Sequence, residues 1–212
     1  MHARVKLFLA SSNPGKLAEF RALAEAHEPG ACARVELLPG FDSLPSFEED
    51  ASTFAENAAG KTLHYSRLLE GLVLADDSGL VVPALGGAPG VHSARYAGPN
   101  ATNAERIAKL LGELRGKNGG ERAACFVCAI ALAHSGRAMA IVTARVDGTI
   151  LESPRGSGGF AYDPVFYFPA LKKTFAELLP QEKNQISHRG KAFRRLLKSI
   201  RNSDGHGLPC PC

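Results

Sequence analysis

Leu74-Ala75-Asp76-Asp77-Ser78-Gly79-Leu80 is the stretch that decides how this chain is built. An apolar run meets two adjacent carboxylates and then a Ser-Gly pair. That pattern predicts a strand over 73–75, a turn at Ser78-Gly79, and an extended segment over 80–82 that stops at Pro83. Open α/β sheets gather their ligands at the carboxyl ends of strands, so acids in this position bear on the site as well as the fold. Two carboxylates beside a hydroxyl and free backbone N–H groups suit a divalent cation, a polarised water and an anionic substrate. The same residues also fit an acidic surface turn, and the neighbouring segments must decide.

Upstream, residues 5–10 alternate as a first strand, and Lys16 opens a helix with Leu17, Phe20, Leu23 and Ala24 at helical spacing, stopped by Pro29-Gly30. A short strand over 35–38, an acidic Pro-containing loop over 39–50 and a helix from Thr53 follow, the helix with Ala55, Ala58, Ala59, Thr62, Tyr65 and Leu69 on one face. Downstream, a Gly/Pro loop over 86–100 leads to an amphipathic helix carrying Ala104, Ile107, Ala108, Leu111 and Leu114, closed by Gly116. Strands over 122–134 and 138–146 joined by Ser135-Gly136 read as a hairpin. A Gly-rich segment over 154–164, a basic loop over 182–190 and a last helix with Phe193, Leu196, Leu197 and Ile200 complete the chain. The fold class is therefore mixed α/β, in one domain over 1–202, with a frayed tail over 203–212.

Composition sets limits. A length of 212 residues and an apolar fraction of 45% fit one globular domain with room for a smaller lobe. The longest apolar run, 123–133, falls well short of the ~20 residues that span a bilayer, and the start of the chain carries no export signal. Of the 5 cysteines, Cys125 and Cys128 lie in that run on opposite strand faces and read as structural, while Cys210 and Cys212 sit in the tail. Scattered reduced thiols point to a cytoplasmic protein. The net charge of +4 is modest, and only Arg194, Arg195, Lys198 and Arg201 cluster, on the last helix, without the interleaved aromatics of a nucleic-acid surface.

Four segments besides the acidic pair can carry chemistry. Ser11-Ser12-Asn13-Pro14-Gly15-Lys16 joins a strand to a helix N-terminus, where N–H groups and the dipole favour an anion. It lacks the leading Gly and trailing Ser/Thr of a P-loop, and an ordinary strand–turn–helix fits it too. Glu48-Glu49-Asp50 precedes the helix from Thr53, with Lys61 further along. Those acids can cap the helix, or one of them can join Asp77 in giving magnesium the one or two carboxylates it typically uses. Phe160-Ala161-Tyr162-Asp163 follows glycines that permit close backbone approach, with aromatics able to stack on a base. Lys183, His188 and Arg189 make the last loop dense in donors.

In order and spacing these segments resemble the inosine triphosphate pyrophosphatase family, whose members remove deaminated purine nucleoside triphosphates. The family pattern Thr/Ser-x-Asn-x-Gly-Lys falls at 11–16, Glu-x-Gly-x-Thr-Phe-x-Glu-Asn-Ala-x-x-Lys at 49–61 and Ala-Asp-Asp-Ser-Gly-Leu at 75–80. Leu-Gly-Gly-x-Pro-Gly-x-x-Ser-Ala-Arg falls at 85–95, Gly-Gly-Phe-Gly-Tyr-Asp-Pro at 158–164 and Glu-Lys-x-x-x-Ser-His-Arg-Gly at 182–190. The resemblance covers about residues 5 to 200. Ala51 and Ala161 stand where the family has glycine, replacements that are tolerated unless the position needs φ > 0. The Cys-Pro-Cys tail is outside the pattern.

The resemblance implies an elongated α/β fold, a long curved mixed sheet with a cleft between two lobes, usually as a homodimer. It implies Mg2+-dependent conversion of ITP, dITP or XTP to the monophosphate and pyrophosphate, with small-molecule purine triphosphates as partners and neither a stable nucleic acid nor a membrane. By motif position Asp77 matches the catalytic base and a metal ligand, and Glu49 the second metal carboxylate, in preference to Glu48. Ser11, Ser12, Asn13, Pro14, Gly15 and Lys16 would hold the triphosphate, with Lys61 adding charge and Ser78 contacting substrate. Phe160, Ala161, Tyr162, Asp163, Lys183, His188 and Arg189 would enclose and read the purine. Repulsion between Asp76 and Asp77 is expected to raise the pKa of one of them. A pyrophosphatase for another modified nucleotide, or a non-catalytic nucleotide- or RNA-binding protein on the same fold, are the alternatives.

Overall fold

The computed structural model describes residues 5–26 and 33–203, so Pro29-Gly30, Cys32 and the tail beyond Ser203 lie outside the described residues. The elements run β1 (Val5–Leu9), α1 (Pro14–Ala26), β2 (Ala33–Leu37), α2 (Phe54–Ser66), β3 (Leu72–Val81), α3 (Asn103–Glu113), β4 (Ala123–His134), β5 (Arg137–Ile150), β6 (Phe166–Phe168), β7 (Lys173–Thr174), α4 (Pro180–Ile186) and α5 (His188–Ser203). Among the described residues the strands form a 7-stranded sheet in the order β2-β1-β3-β4-β5-β6-β7. The β1–β2 and β1–β3 pairs are parallel, and the remainder are antiparallel.

One expectation fails where it matters most. Ser78-Gly79 is not a turn: β3 runs unbroken through both carboxylates, with Asp76 opposite Ile130, Asp77 opposite Ala129 and Gly79 opposite Val127. The long partner β4 offers a hydrogen-bond ladder along the whole segment, and a turn would leave buried backbone groups unpaired. The placement inferred for the acids still holds. β1 reaches only as far as the pair Leu9–Leu74, with Ala10 N–H bonding the Leu74 carbonyl at 2.8 Å, so Asp76 and Asp77 stand just past the carboxyl end of the parallel strands.

Strand alternation sorts the packing. Leu7, Leu9, Leu74, Cys128, Ile130 and Leu132 face α1 and α5, where Phe20 and Phe193 meet edge-on at 5.3 Å. Val73, Ala75, Ala129 and Ala131 face α2. A separate core gathers Ile107 and Leu110 of α3, Phe126 and Val146 from the far ends of the hairpin, and Tyr162, Phe166 and Phe175. Each large side chain so buried contributes about 1.5–3 kcal/mol. The clusters against α1, α5 and α2 belong to one lobe, and that around Phe126, Tyr162 and Phe175 to the other. Cys128 is buried and Cys125 half-buried, both as free thiols. No helix among the described residues is long and apolar enough to cross a membrane.

The lobes are pinned together through Gly79. A Cβ there would stand 2.3 Å from Ser93 Oγ and 2.5 Å from the Gly90 carbonyl, so only glycine admits the helical turn Gly90–Arg95 against β3. That turn lies within the expected loop over 86–100, and Pro83–Leu85, just ahead of the loop, is a second short helical segment. The expected basic loop is also helical. α4 ends at Ile186, Ser187 alone is extended, and α5 begins at His188, with Ser187 Oγ accepting the Gly190 N–H at 3.1 Å.

Of the two departures from the family pattern, Ala51 is unstrained while Ala161 has φ 55, the left-handed region that disfavours a Cβ by about 1–2 kcal/mol. Ala161→Gly should stabilise the protein by about 0.5–1 kcal/mol after the extra chain entropy of glycine is subtracted. Urea denaturation checks this, and a lowered midpoint would refute the strain.

Candidate active site

A cavity of about 350 Å³ opens between the lobes, a volume within the range of small-molecule sites. Its wall contains Asn13, Pro14, Gly15, Lys16, Glu49, Asp77, Ser78, Phe160, Ala161, Tyr162, Asp163, Lys183, His188 and Arg189, so six separated segments of sequence converge on one space. Three expected residues stand off the wall. Ser11 is buried and accepts the Asn13 N–H at 3.2 Å, Ser12 is exposed, and Lys61 holds Glu49 Oε1 at 2.6 Å. The α1 N-terminus is partly spoken for: Asn13 Oδ1 accepts from Gly15 N at 2.9 Å and Lys16 N at 3.2 Å.

The adjacent carboxylates have opposite surroundings because successive strand residues face opposite ways. Asp76 turns toward α1 and α5, where Lys16 Nζ lies 3.0 Å from Oδ1 and Arg189 Nη2 lies 3.2 Å from Oδ2. Burial pushes its carboxyl up, but Lys16 and Arg189 outweigh that and hold it far below the usual carboxylate range. Asp77 turns toward α2. Its Oδ2 accepts from Asn57 Nδ2 at 2.9 Å and its Oδ1 from the Ser78 N–H at 2.8 Å. Burial raises it to about 6 against the Asn57 hydrogen bond, with Glu49 pushing further upward and Asp76 contributing least among the named causes. The expected shift is present, but desolvation is its main cause.

The far wall is a buried ionic cluster. Lys183 Nζ meets Asp163 Oδ2 at 2.6 Å and Glu19 Oε1 at 2.7 Å, and Glu19 also pairs with Arg189. Burial pulls the Lys183 ammonium down, and Asp163 and Glu19 more than restore it. His188 stacks on Phe126 with ring centres 4.7 Å apart and planes 10° apart. Burial and the charges of Arg189 and Lys183 keep its imidazole neutral, and its Nδ1 has no protein partner. Lys183 and Arg189 also lie over the Phe160 ring, at 4.8 and 5.6 Å. Glu19 and Phe126 escaped the sequence reading, while Asn57 and Arg95 entered it only as positions of the family pattern, without a role. Glu19 lies three residues past Lys16 on the same helix, which is the signal that could have flagged it.

Glu49 and Asp77 line one cavity and repel each other, which is the arrangement a cation relieves. Two carboxylates suffice for an ion that otherwise takes water and phosphate oxygens. The basic cluster of the last helix is partly engaged within the fold. Arg194 donates to the Asn184 and Gln185 carbonyls, and Arg195 to that of Thr143.

The model of the Ham1 family matches residues 7–199. The chain belongs to the Ham1 family. Among its relatives, the dITP/XTP pyrophosphatase of Geobacillus kaustophilus is 53% identical over 191 residues, covering 90% of this chain and 92% of the relative. The dITP/XTP pyrophosphatase of Coxiella burnetii is 46% identical, covering 91% and 94%. The solved HAM1 protein of Coxiella burnetii superposes with a TM-score of 0.80 at 44% identity, covering 93% of this chain and 99% of the other. The Staphylococcus aureus Ham1 protein also superposes with a TM-score of 0.80, at 37% identity over the same shares. These matches bear out the family resemblance and the fold class read from the motifs.

Asp76→Asn should destabilise the fold by about 3–5 kcal/mol at pH 7, because it leaves buried Arg189 and part-buried Lys16 short of a partner. A depressed carboxyl contributes stability that is full above the unfolded pKa and is lost as pH falls through the lower folded value. The gap between wild type and variant should therefore narrow below pH about 4. Denaturation at a series of pH values measures it, and a gap independent of pH would remove the ionic role.

Proposed function

We propose that the protein hydrolyses non-standard purine nucleoside triphosphates such as dITP and XTP to the monophosphate and pyrophosphate, with Mg2+ as cofactor. The observation that carries this reading is Asp77: a carboxyl with a pKa of about 6, fixed through both oxygens and facing Glu49 in a cleft otherwise rich in cations. A base poised near neutral pH can accept the proton of an attacking water, and its orientation is set before substrate arrives. Glu49 and Asp77 would hold the metal, which when bound supplies charge neutralisation at the polyphosphate. Lys16 and the start of α1 would bind phosphate oxygens, with Lys61 available once Glu49 takes another partner.

At the opposite wall Phe160 would cover the purine face, and Lys183, His188 and Arg189 would meet its edge. A 6-oxo group accepts from such donors, whereas a 6-amino group would bring donor against donor in a buried place, a mismatch that costs about 1–3 kcal/mol. The names and sequence identity of the relatives support the substrate class.

Incubation of ITP, XTP, ATP and GTP with Mg2+ or with EDTA, followed by chromatography, tests the reaction. ITP and XTP should give monophosphate and pyrophosphate, with ATP and GTP at least about tenfold slower, equivalent to roughly 1.4 kcal/mol in the barrier. Release of orthophosphate, or a flat base profile, would refute it.

Asp77→Asn should lower kcat by at least about a hundredfold in a folded protein. In the wild type, kcat/KM should fall as pH drops through about 6, because protonation removes the base and this carboxyl is raised rather than lowered. Near-normal turnover in the folded variant would exclude Asp77 as the base.

A further inference from the structure

The cations that face the cleft differ in one respect. Lys16 is paired with Asp76 at 3.0 Å, Lys183 with Asp163 at 2.6 Å, and Arg189 with Asp76 at 3.2 Å. Lys61, behind Glu49, is paired with it at 2.6 Å. Among the described residues Arg95 lines the same cavity without a carboxylate partner. Its Nη2 donates to the main-chain carbonyl of Glu49 at 2.9 Å, which sets the guanidinium beside the segment that carries the Glu49 carboxylate.

The arm that carries Arg95 is rigid. Ser93, two residues earlier, accepts the Leu80 N–H at 2.9 Å, donates to the Gly90 carbonyl at 2.6 Å, and its own carbonyl accepts from Tyr162 OH at 2.9 Å. Arg106 also lines the cavity, but its Nη1 is turned to Asn103 of its own helix at 2.9 Å and lacks the tie to Glu49.

We propose that Arg95 is a ligand of the departing pyrophosphate, an assignment that rests on the hydrolytic reading above. Cations already neutralised by buried carboxylates add little net field where negative charge builds on a leaving group. An unpaired guanidinium, held in place and presenting a fork of donors, meets that charge directly. Only one of its N–H groups is committed to Glu49, which leaves the rest for phosphate oxygens.

Calorimetric titration of inorganic pyrophosphate with Mg2+, and separately of inosine monophosphate, into wild type, Arg95→Ala and Arg95→Gln tests the assignment. Gln keeps an N–H donor on a shorter side chain but carries no charge. Pyrophosphate affinity should fall at least about tenfold in both variants, while monophosphate affinity stays within about twofold. Unchanged pyrophosphate binding, an equal loss for the monophosphate, or full recovery in Arg95→Gln would each overturn it, the last by reducing Arg95 to a strap on the Glu49 loop. Wild type that binds no pyrophosphate and cleaves no ITP would sink the hydrolytic reading itself, visible before any variant is made.

Discussion

Alternation along β3 is the constraint on which the site depends. Two chemically identical neighbours are sent to opposite faces of the sheet, and their surroundings then make them different groups. Asp76 meets two cations and becomes a permanent anion that organises them. Asp77 meets an amide, a backbone N–H and another carboxylate, and is left close to the point of protonation. Had the segment turned at Ser78-Gly79, both acids would face water and neither environment would exist.

From Asp76 outward, a chain of ion pairs ties β3 to α1, α4 and α5: Lys16 and Arg189 on Asp76, then Glu19 on Arg189 and Lys183, then Asp163 on Lys183. Buried ion pairs repay their desolvation poorly as stabilisers, since the Coulombic gain and the solvation cost nearly cancel. Their value here is positional. Donors on three helices are fixed at one wall of the cleft without waiting for a ligand to order them, and preorganised charge is what catalytic sites use.

Periodicity made most of the framework legible: the amphipathic helices, the first strand and the 122–146 hairpin announce themselves through side-chain spacing. The segment over 182–190 did not, because its polar residues look solvated when neighbours in space are unknown. Lys183, His188 and Arg189 are in fact buried, satisfied or shielded by residues distant in sequence. The Ser-Gly pair misled for a related reason. A local turn signal was overruled by a long partner strand that the local sequence does not contain. Glu19 was invisible because Glu on a helix is unremarkable until something is seen to donate to it, and Asn57 and Arg95 were legible only as letters of the family pattern, without a role. The motif carriers of the cleft were readable only as a set, since each alone also fits an ordinary cap or turn.

The order of the strands carries a further consequence. The wall at residues 13–16 is made early in synthesis, but Glu19 finds both of its partners, and Asp76 its guanidinium, only in α4 and α5. α5 also supplies Phe193, Leu196 and Leu197 to the core beneath β1 and β3. A nascent chain that lacks α4 and α5 therefore leaves Glu19 without its cations, Asp76 with Lys16 alone, and one face of the sheet only partly covered, and contacts of such long sequence separation close slowly. Chains cut short before residue 189 cannot assemble half an enzyme. The cleft comes into being only once α5 has been made.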